Sequence, residues 1–141
     1  MSAPYTGGCA CGAIRYEIAG EPVFMNDCQC RDCQRKSGTG HGSYVSFAGR
    51  SNVKLTGEAR HWDLVADSGN VKTRAFCPTC GSPVYMTFAA TPDVFTVHAA
   101  SLDDPRRYRP QVVTYGVRGQ PWDLVDPALP KFDQMPGGNH G

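Results

Sequence analysis

A mainly β protein with little helix is what the sequence predicts, and three observations carry that expectation. Apolar and polar residues alternate in short stretches, β-branched and aromatic residues gather into runs, and Gly, Pro, Asp or Asn interrupts the pattern at intervals of about ten residues. A helix-period stripe of useful length occurs nowhere along the chain. Short antiparallel strands in stacked sheets satisfy that rhythm.

Taken in order, Ile14, Tyr16 and Ile18 alternate with Arg15 and Glu17 and predict the first strand. Residues 30–36 can form one polar helical turn that stops before Gly38. Residues 43–47, 53–55 and 60–64 follow as strands, and Asp67-Ser68-Gly69-Asn70 is turn chemistry. Val71, Thr73 and Ala75 alternate with Lys72 and Arg74; residues 84–88 and 94–97 flank a Thr-Pro-Asp turn; residues 112–115 make the last strand. From residue 127 onward, Pro130, Pro136 and Gly137-Gly138 predict an extended wrap that frays at its end. Tyr44, Phe47, Trp62 and Trp122 are expected in strand interiors.

At 141 residues the chain has room for a single domain spanning 1–141, with a core over about 7–136. Its 14 basic and 13 acidic residues leave a net charge of +1, which supplies no general attraction for nucleic acid or anionic lipid. Arg106, Arg107 and Arg109 read as a solvated loop rather than a binding stripe. No run approaches the roughly 18 apolar residues of a membrane span. The first residues lack a secretion signal and the cysteine count is odd, so the expected compartment is the reducing cytoplasm.

The seven cysteines form three clusters: Cys9-x-Cys11, Cys28-x-Cys30-x-x-Cys33 and Cys77-x-x-Cys80. Closely spaced thiolates are soft ligands suited to zinc. Pairing Cys30 and Cys33 with Cys77 and Cys80 would resemble a zinc ribbon, but 43 residues intervene and three thiols are left over. Joining Cys9 and Cys11 to Cys77 and Cys80 closes a four-sulfur site and leaves Cys28, Cys30 and Cys33 as a compact unit. Seven sulfurs then make two zinc sites per chain, one closed and structural, the other open at a fourth position and catalytic. Gly81 is placed to make the turn that aims backbone amides at the thiolates.

The cysteine order, the Arg35-Lys36-Ser37-Gly38 that follows the central cluster, and Cys80-Gly81-Ser82-Pro83 resemble the glutathione-dependent formaldehyde-activating enzyme family. Ala100-Ser101-Leu102-Asp103-Asp104-Pro105 and the segment from Pro121-Trp122 to Phe132 are similar to later parts of that family. Gln29 departs from the pattern, since many members carry His there. The resemblance implies a β-tent of stacked antiparallel sheets and a carbon–sulfur lyase that forms or cleaves S-hydroxymethylglutathione. It implies structural zinc on Cys9, Cys11, Cys77 and Cys80, and catalytic zinc on Cys28, Cys30 and Cys33. Partners would be a small glutathione-like thiol and an aldehyde, with no nucleic acid or membrane.

Arg31, Arg35 and Lys36 are candidates to pair with glutathione carboxylates, against the alternative of plain solvent exposure. His41, on a glycine-rich turn, is a candidate fourth ligand or proton relay, and the competing reading is a surface histidine. His61 and His98 sit in strands, where packing is the default, and His140 belongs to the tail. The competing function class is a non-catalytic zinc module that binds a protein or nucleic-acid partner, which would favour a closed second site, an exposed aromatic set or a basic face.

Overall fold

Ten strands and one α-helix are present among the described residues, 3–66 and 69–136 of a computed structural model. The strands are β1 (Tyr5–Gly8), β2 (Arg15–Ile18), β3 (Phe24–Cys28), β4 (Gly42–Ala48), β5 (Val53–Thr56), β6 (Arg60–Val65), β7 (Val71–Phe76), β8 (Pro83–Phe88), β9 (Val94–His98) and β10 (Val112–Thr114). Helix α1 (Arg31–Ser37) lies between β3 and β4. Three strands form a small sheet in the order β1-β2-β5, and seven form a large one in the order β10-β3-β4-β9-β8-β7-β6.

The chain is mainly β, as its sequence predicts, with one departure from pure antiparallel pairing. Strand β10 runs parallel to β3, with Val112 opposite Asn26. The C-terminal wrap then covers the outer edge of β10, where Val113 donates to the Pro130 carbonyl at 2.9 Å and Phe132 donates to the Val113 carbonyl at 2.9 Å. That contact answers an edge which would otherwise present unpaired donors and acceptors. Tyr115, expected to continue β10, instead takes a left-handed conformation at φ 55° and ends it. The expected fraying at Gly137-Gly138, the turn residues Asp67 and Ser68, and His140 lie outside the described residues.

Alternation along the strands gives the large sheet two different faces. Val45, Phe47, Phe95 and Val97 point to one face and pack against Tyr5, Tyr16 and Ile18 of the small sheet. Burying each such Val or Phe stabilises the fold by roughly 1.5–3 kcal/mol. Tyr44 and Met86 point to the opposite face and cluster with Cys28 and Cys33, next to α1. Trp62 and Trp122 do not join either interior, being 56% and 62% exposed. Trp62 lies on β6, the outermost strand of the large sheet, with the Lys36 ammonium 5.8 Å from its ring centre, and Trp122 lies on the segment after β10.

Two strands were not legible from residue preference. β1 reads Tyr-Thr-Gly-Gly, and its Gly7 is dictated by close approach, because a Cβ there would sit 2.3 Å from the Ser101 carbonyl oxygen. β3 contains Asn26 and Asp27, which disfavour strands. Pairing on both sides and side-chain hydrogen bonds override that preference. Asn26 Nδ2 donates to Thr114 at 3.0 Å, while Asp27 accepts from Ser43 at 2.7 Å and from Tyr108 at 2.6 Å.

Candidate metal centres and their cavity

Cys9 and Cys11 follow β1, and Cys77 and Cys80 follow β7, whose register shifts between Ala75 and Phe76. All four sulfurs lie within 4.8 Å of one another. Cys9 to Cys11 and Cys11 to Cys77 are each 3.7 Å, sulfur to sulfur. Tetrahedral zinc with bonds of about 2.3 Å spaces its sulfurs by about 3.8 Å, whereas a disulfide needs about 2.05 Å. The cluster therefore has the dimensions of a metal cage. Gly81 takes φ 77° and donates to the Cys77 carbonyl at 2.8 Å, closing a turn in which Thr79 N–H points at the Cys77 sulfur from 3.3 Å. Ile14 N–H reaches the Cys9 sulfur at 3.2 Å, and hydrogen bonding with Ser82 lowers the Cys80 thiol to about 5. Such donors favour thiolate, the form a metal requires.

The second cluster is built by the end of β3 and the start of α1. Cys28 closes the strand, and Cys30 caps the helix, its sulfur accepting from Cys33 N–H at 3.3 Å. The helix that the sequence places over residues 30–36 is thus present, with a cysteine in the role usually held by Ser or Asp. The sulfurs of Cys28, Cys30 and Cys33 lie within 4.8 Å of one another. No other Cys, His, Asp or Glu of the described residues joins them. His41 does not supply a fourth ligand: its Nδ1 is 2.9 Å from both oxygens of Asp123, and its Nε2 is 3.9 Å from Asp27. Each cluster can hold a metal ion, one enclosed by four sulfurs and one by three.

Charge around the three sulfurs comes from residues that sequence reasoning passed over. Arg74 is buried at 3% exposure. Its Nη2 donates to the Cys33 sulfur at 3.4 Å and to the Tyr44 hydroxyl at 3.3 Å, and its Nε donates to Asp32 at 2.7 Å. Lys72 also pairs with Asp32, at 3.0 Å. Burial works to raise the Asp32 carboxyl, but Lys72 and Arg74 outweigh it and hold the group below its usual range. Hydrogen bonds among the three thiols push Cys30 down and Cys28 up. The signal available in the sequence was Lys72-x-Arg74, two cations on one face of a strand, which reads as a solvent face until a carboxylate and a thiol are seen to meet it.

A cavity of about 520 Å³ opens beside the three cysteines, which form part of its wall. Arg31 and Arg35 of α1 line it, as does Arg118 from the segment after β10. Arg118 is tied to the helix by Gln34, whose amide donates to its carbonyl at 3.0 Å. Arg31 also hydrogen-bonds the Gln34 side chain. Lys36 stands outside the lining, over Trp62. Gln29 is buried with its Nε2 donating to Asp123 at 2.9 Å, linking the loop after β3 to the segment after β10.

Known proteins add the following. A family model described as glutathione-dependent formaldehyde-activating enzyme matches residues 4–118. A protein of Halomonas elongata, provisionally named as a glutathione-dependent formaldehyde-activating enzyme, is 24% identical over 120 residues, covering 82% of this chain and 76% of its own. A crystal structure of a Rhodobacter sphaeroides protein matches with a TM-score of 0.56 and 22% identity, over 72% of this chain and 93% of that one, and supports the fold. No helix of the described residues is long and apolar enough to cross a membrane.

Proposed function

This chain belongs to the glutathione-dependent formaldehyde-activating enzyme family, and on that premise we propose that it is a zinc-dependent carbon–sulfur lyase and synthase. Its reaction joins a glutathione-like thiol to an aldehyde such as formaldehyde, and in reverse cleaves the adduct. The observation that carries the reading is the unequal sulfur count: four around one centre, three around the other, and the three at a cavity wall. Cys9, Cys11, Cys77 and Cys80 hold the structural ion, and Cys28, Cys30 and Cys33 hold the catalytic one. Thiolates at these spacings suit zinc, and seven thiols persist in a reducing compartment, which supports the cytoplasm.

Cys28, Cys30 and Cys33 would hold the ion, which when bound would lower the pKa of an entering thiol toward thiolate at neutral pH. In the synthetic direction the thiol gives up its proton and the sulfur pair forms the carbon–sulfur bond. The carbonyl π pair moves to oxygen, which takes a proton, and nothing is oxidised or reduced. The protein's own groups set the stage. Arg74 offsets negative charge at Cys33, and Asp32 holds Arg74 in place. Arg31, Arg35 and Arg118 face the cavity, where forked guanidinium groups suit the carboxylates of a glutathione-like thiol. Holding both reactants in one cavity replaces a chance encounter with a positioned one.

Exchange spectroscopy on glutathione and formaldehyde tests the proposal. Metal-loaded protein is expected to accelerate exchange between free glutathione and its hydroxymethyl adduct, and Cys33→Ser to abolish that acceleration with the fold retained. Cys77→Ser is expected to unfold the chain, because a structural zinc contributes on the order of 10 kcal/mol to small domains. Absence of acceleration would favour a non-catalytic zinc module instead, and equal unfolding by both variants would end the division between the two centres.

A further inference from the structure

The cavity follows one face of the large sheet, and its character changes along that face. On β3, Cys28, Asn26 and Phe24 all face it, since alternate residues of a strand share a side. Cys28 and Phe24 are four positions apart, about 13 Å of extended chain. Phe24 pairs with Ser46, Ser46 with Thr96, and Thr96 with Met86, which places Met86 on the same rung of the sheet. On the next rung Phe88 pairs with Lys72, and Lys72 with Leu64. Phe24, Met86, Phe88 and Leu64 all line the cavity. Lys72, the cation of that rung, is already paired with Asp32.

A one-carbon carbonyl at the sulfurs can touch only the near part of this wall, where Met86 and Phe88 pack against the cysteine cluster, and leaves Phe24 and Leu64 uncovered. Its adduct would leave an apolar surface wet in a cavity of about 520 Å³, within the range that takes ligands far larger than formaldehyde. We propose that the preferred adduct carries an apolar arm on its sulfur. The aldehyde partner would be one with an aromatic or medium-length aliphatic substituent, lying along Phe24, Met86, Phe88 and Leu64. This rests on the thiol–aldehyde reading of the site and names its second substrate class. The addition balances as before, the substituent taking no part in bond making.

Thioethers of glutathione probe the arm without turnover. Binding of S-methylglutathione and S-hexylglutathione to the metal-loaded protein is measured by calorimetry, in wild type and in Leu64→Ser and Phe88→Ala. Each methylene buried against the wall raises affinity about fourfold, so the hexyl compound is expected to bind wild type at least about tenfold more tightly. Both variants should shrink that ratio, and the ratio, rather than either affinity, is the readout. Equal binding of the two thioethers, or a ratio unchanged in both variants, would overturn the arm and leave the thiol site standing. Glutathione itself is measured alongside: if it binds while neither thioether does, the arm alone falls, and if it fails to bind as well, the thiol site falls with the arm.

Discussion

Arg74 concentrates more of this protein's physics than any other single side chain. It brings a permanent positive charge to a place nine-tenths closed to water, which is tolerable only because Asp32, Tyr44 and Cys33 surround it. His98 shares the neighbourhood, its ring 5.0 Å from that of Tyr44. Burial, reinforced by the Arg74 charge, pushes His98 down to about 3 from the ordinary 6.5. The folded protein therefore keeps a neutral imidazole where the unfolded chain takes up a proton. Stability from this source is complete above about pH 6.5 and is lost as pH falls toward 3, by up to about 1.4 kcal/mol per unit. Urea unfolding at pH 7 and pH 5 should show the wild type losing roughly 2 kcal/mol more than His98→Gln over that interval. Parallel losses would mean that His98 protonates freely inside the fold.

Among the elements, the turns and strand approaches that set the four-sulfur cluster rest on glycines of two kinds. At Gly81 nothing lies within 4 Å of the place a Cβ would take, so the demand is the backbone angle alone. At Gly7 the angle is ordinary and the demand is space, with the Ser101 carbonyl in the way. Gly81→Ala should cost about 1 kcal/mol by denaturant titration, and Gly7→Ala more than about 2 kcal/mol, since a backbone carbonyl cannot step aside. The reverse order would show that the β1 edge yields more readily than the turn. The turn at Gly81 was legible in the sequence because Cys-x-x-Cys-Gly carries its own local geometry. So was the helix after Cys30, and so were strands such as β7 and β9, whose side chains alternate or branch at Cβ. β1 and β3 were not, because their strand state is imposed by neighbours distant in sequence. The same holds for Arg74 and Asp32, on different elements, whose roles exist only once the sheet has brought them together.

At the scale of the whole molecule, the large sheet divides two tasks between its faces. One face joins the small sheet to make the core, and the other carries the three-sulfur centre and its cavity. This predicts unequal metal loss. Elemental analysis should find about two zinc ions per chain, and a chelator should remove one with the circular dichroism unchanged and the second only as the fold is lost. A single ion per chain, or simultaneous release of both, would contradict that division. The cysteine partition was legible from spacing because a metal cage needs its sulfurs in a fixed ratio. The two exposed tryptophans were not, since size and apolarity do not tell a sheet's centre from its rim.

The four-sulfur cluster also ties Cys11 to Cys77, 66 positions apart. Closing so long a loop without a tether has an entropic penalty before any compensating contact forms. With the proposed ion in this cluster, copies freshly released from the ribosome would be the ones that starvation for metal harms, while mature copies would keep the ion they enclose. Scarcity would register first as a shortfall of new protein and only later as slower turnover.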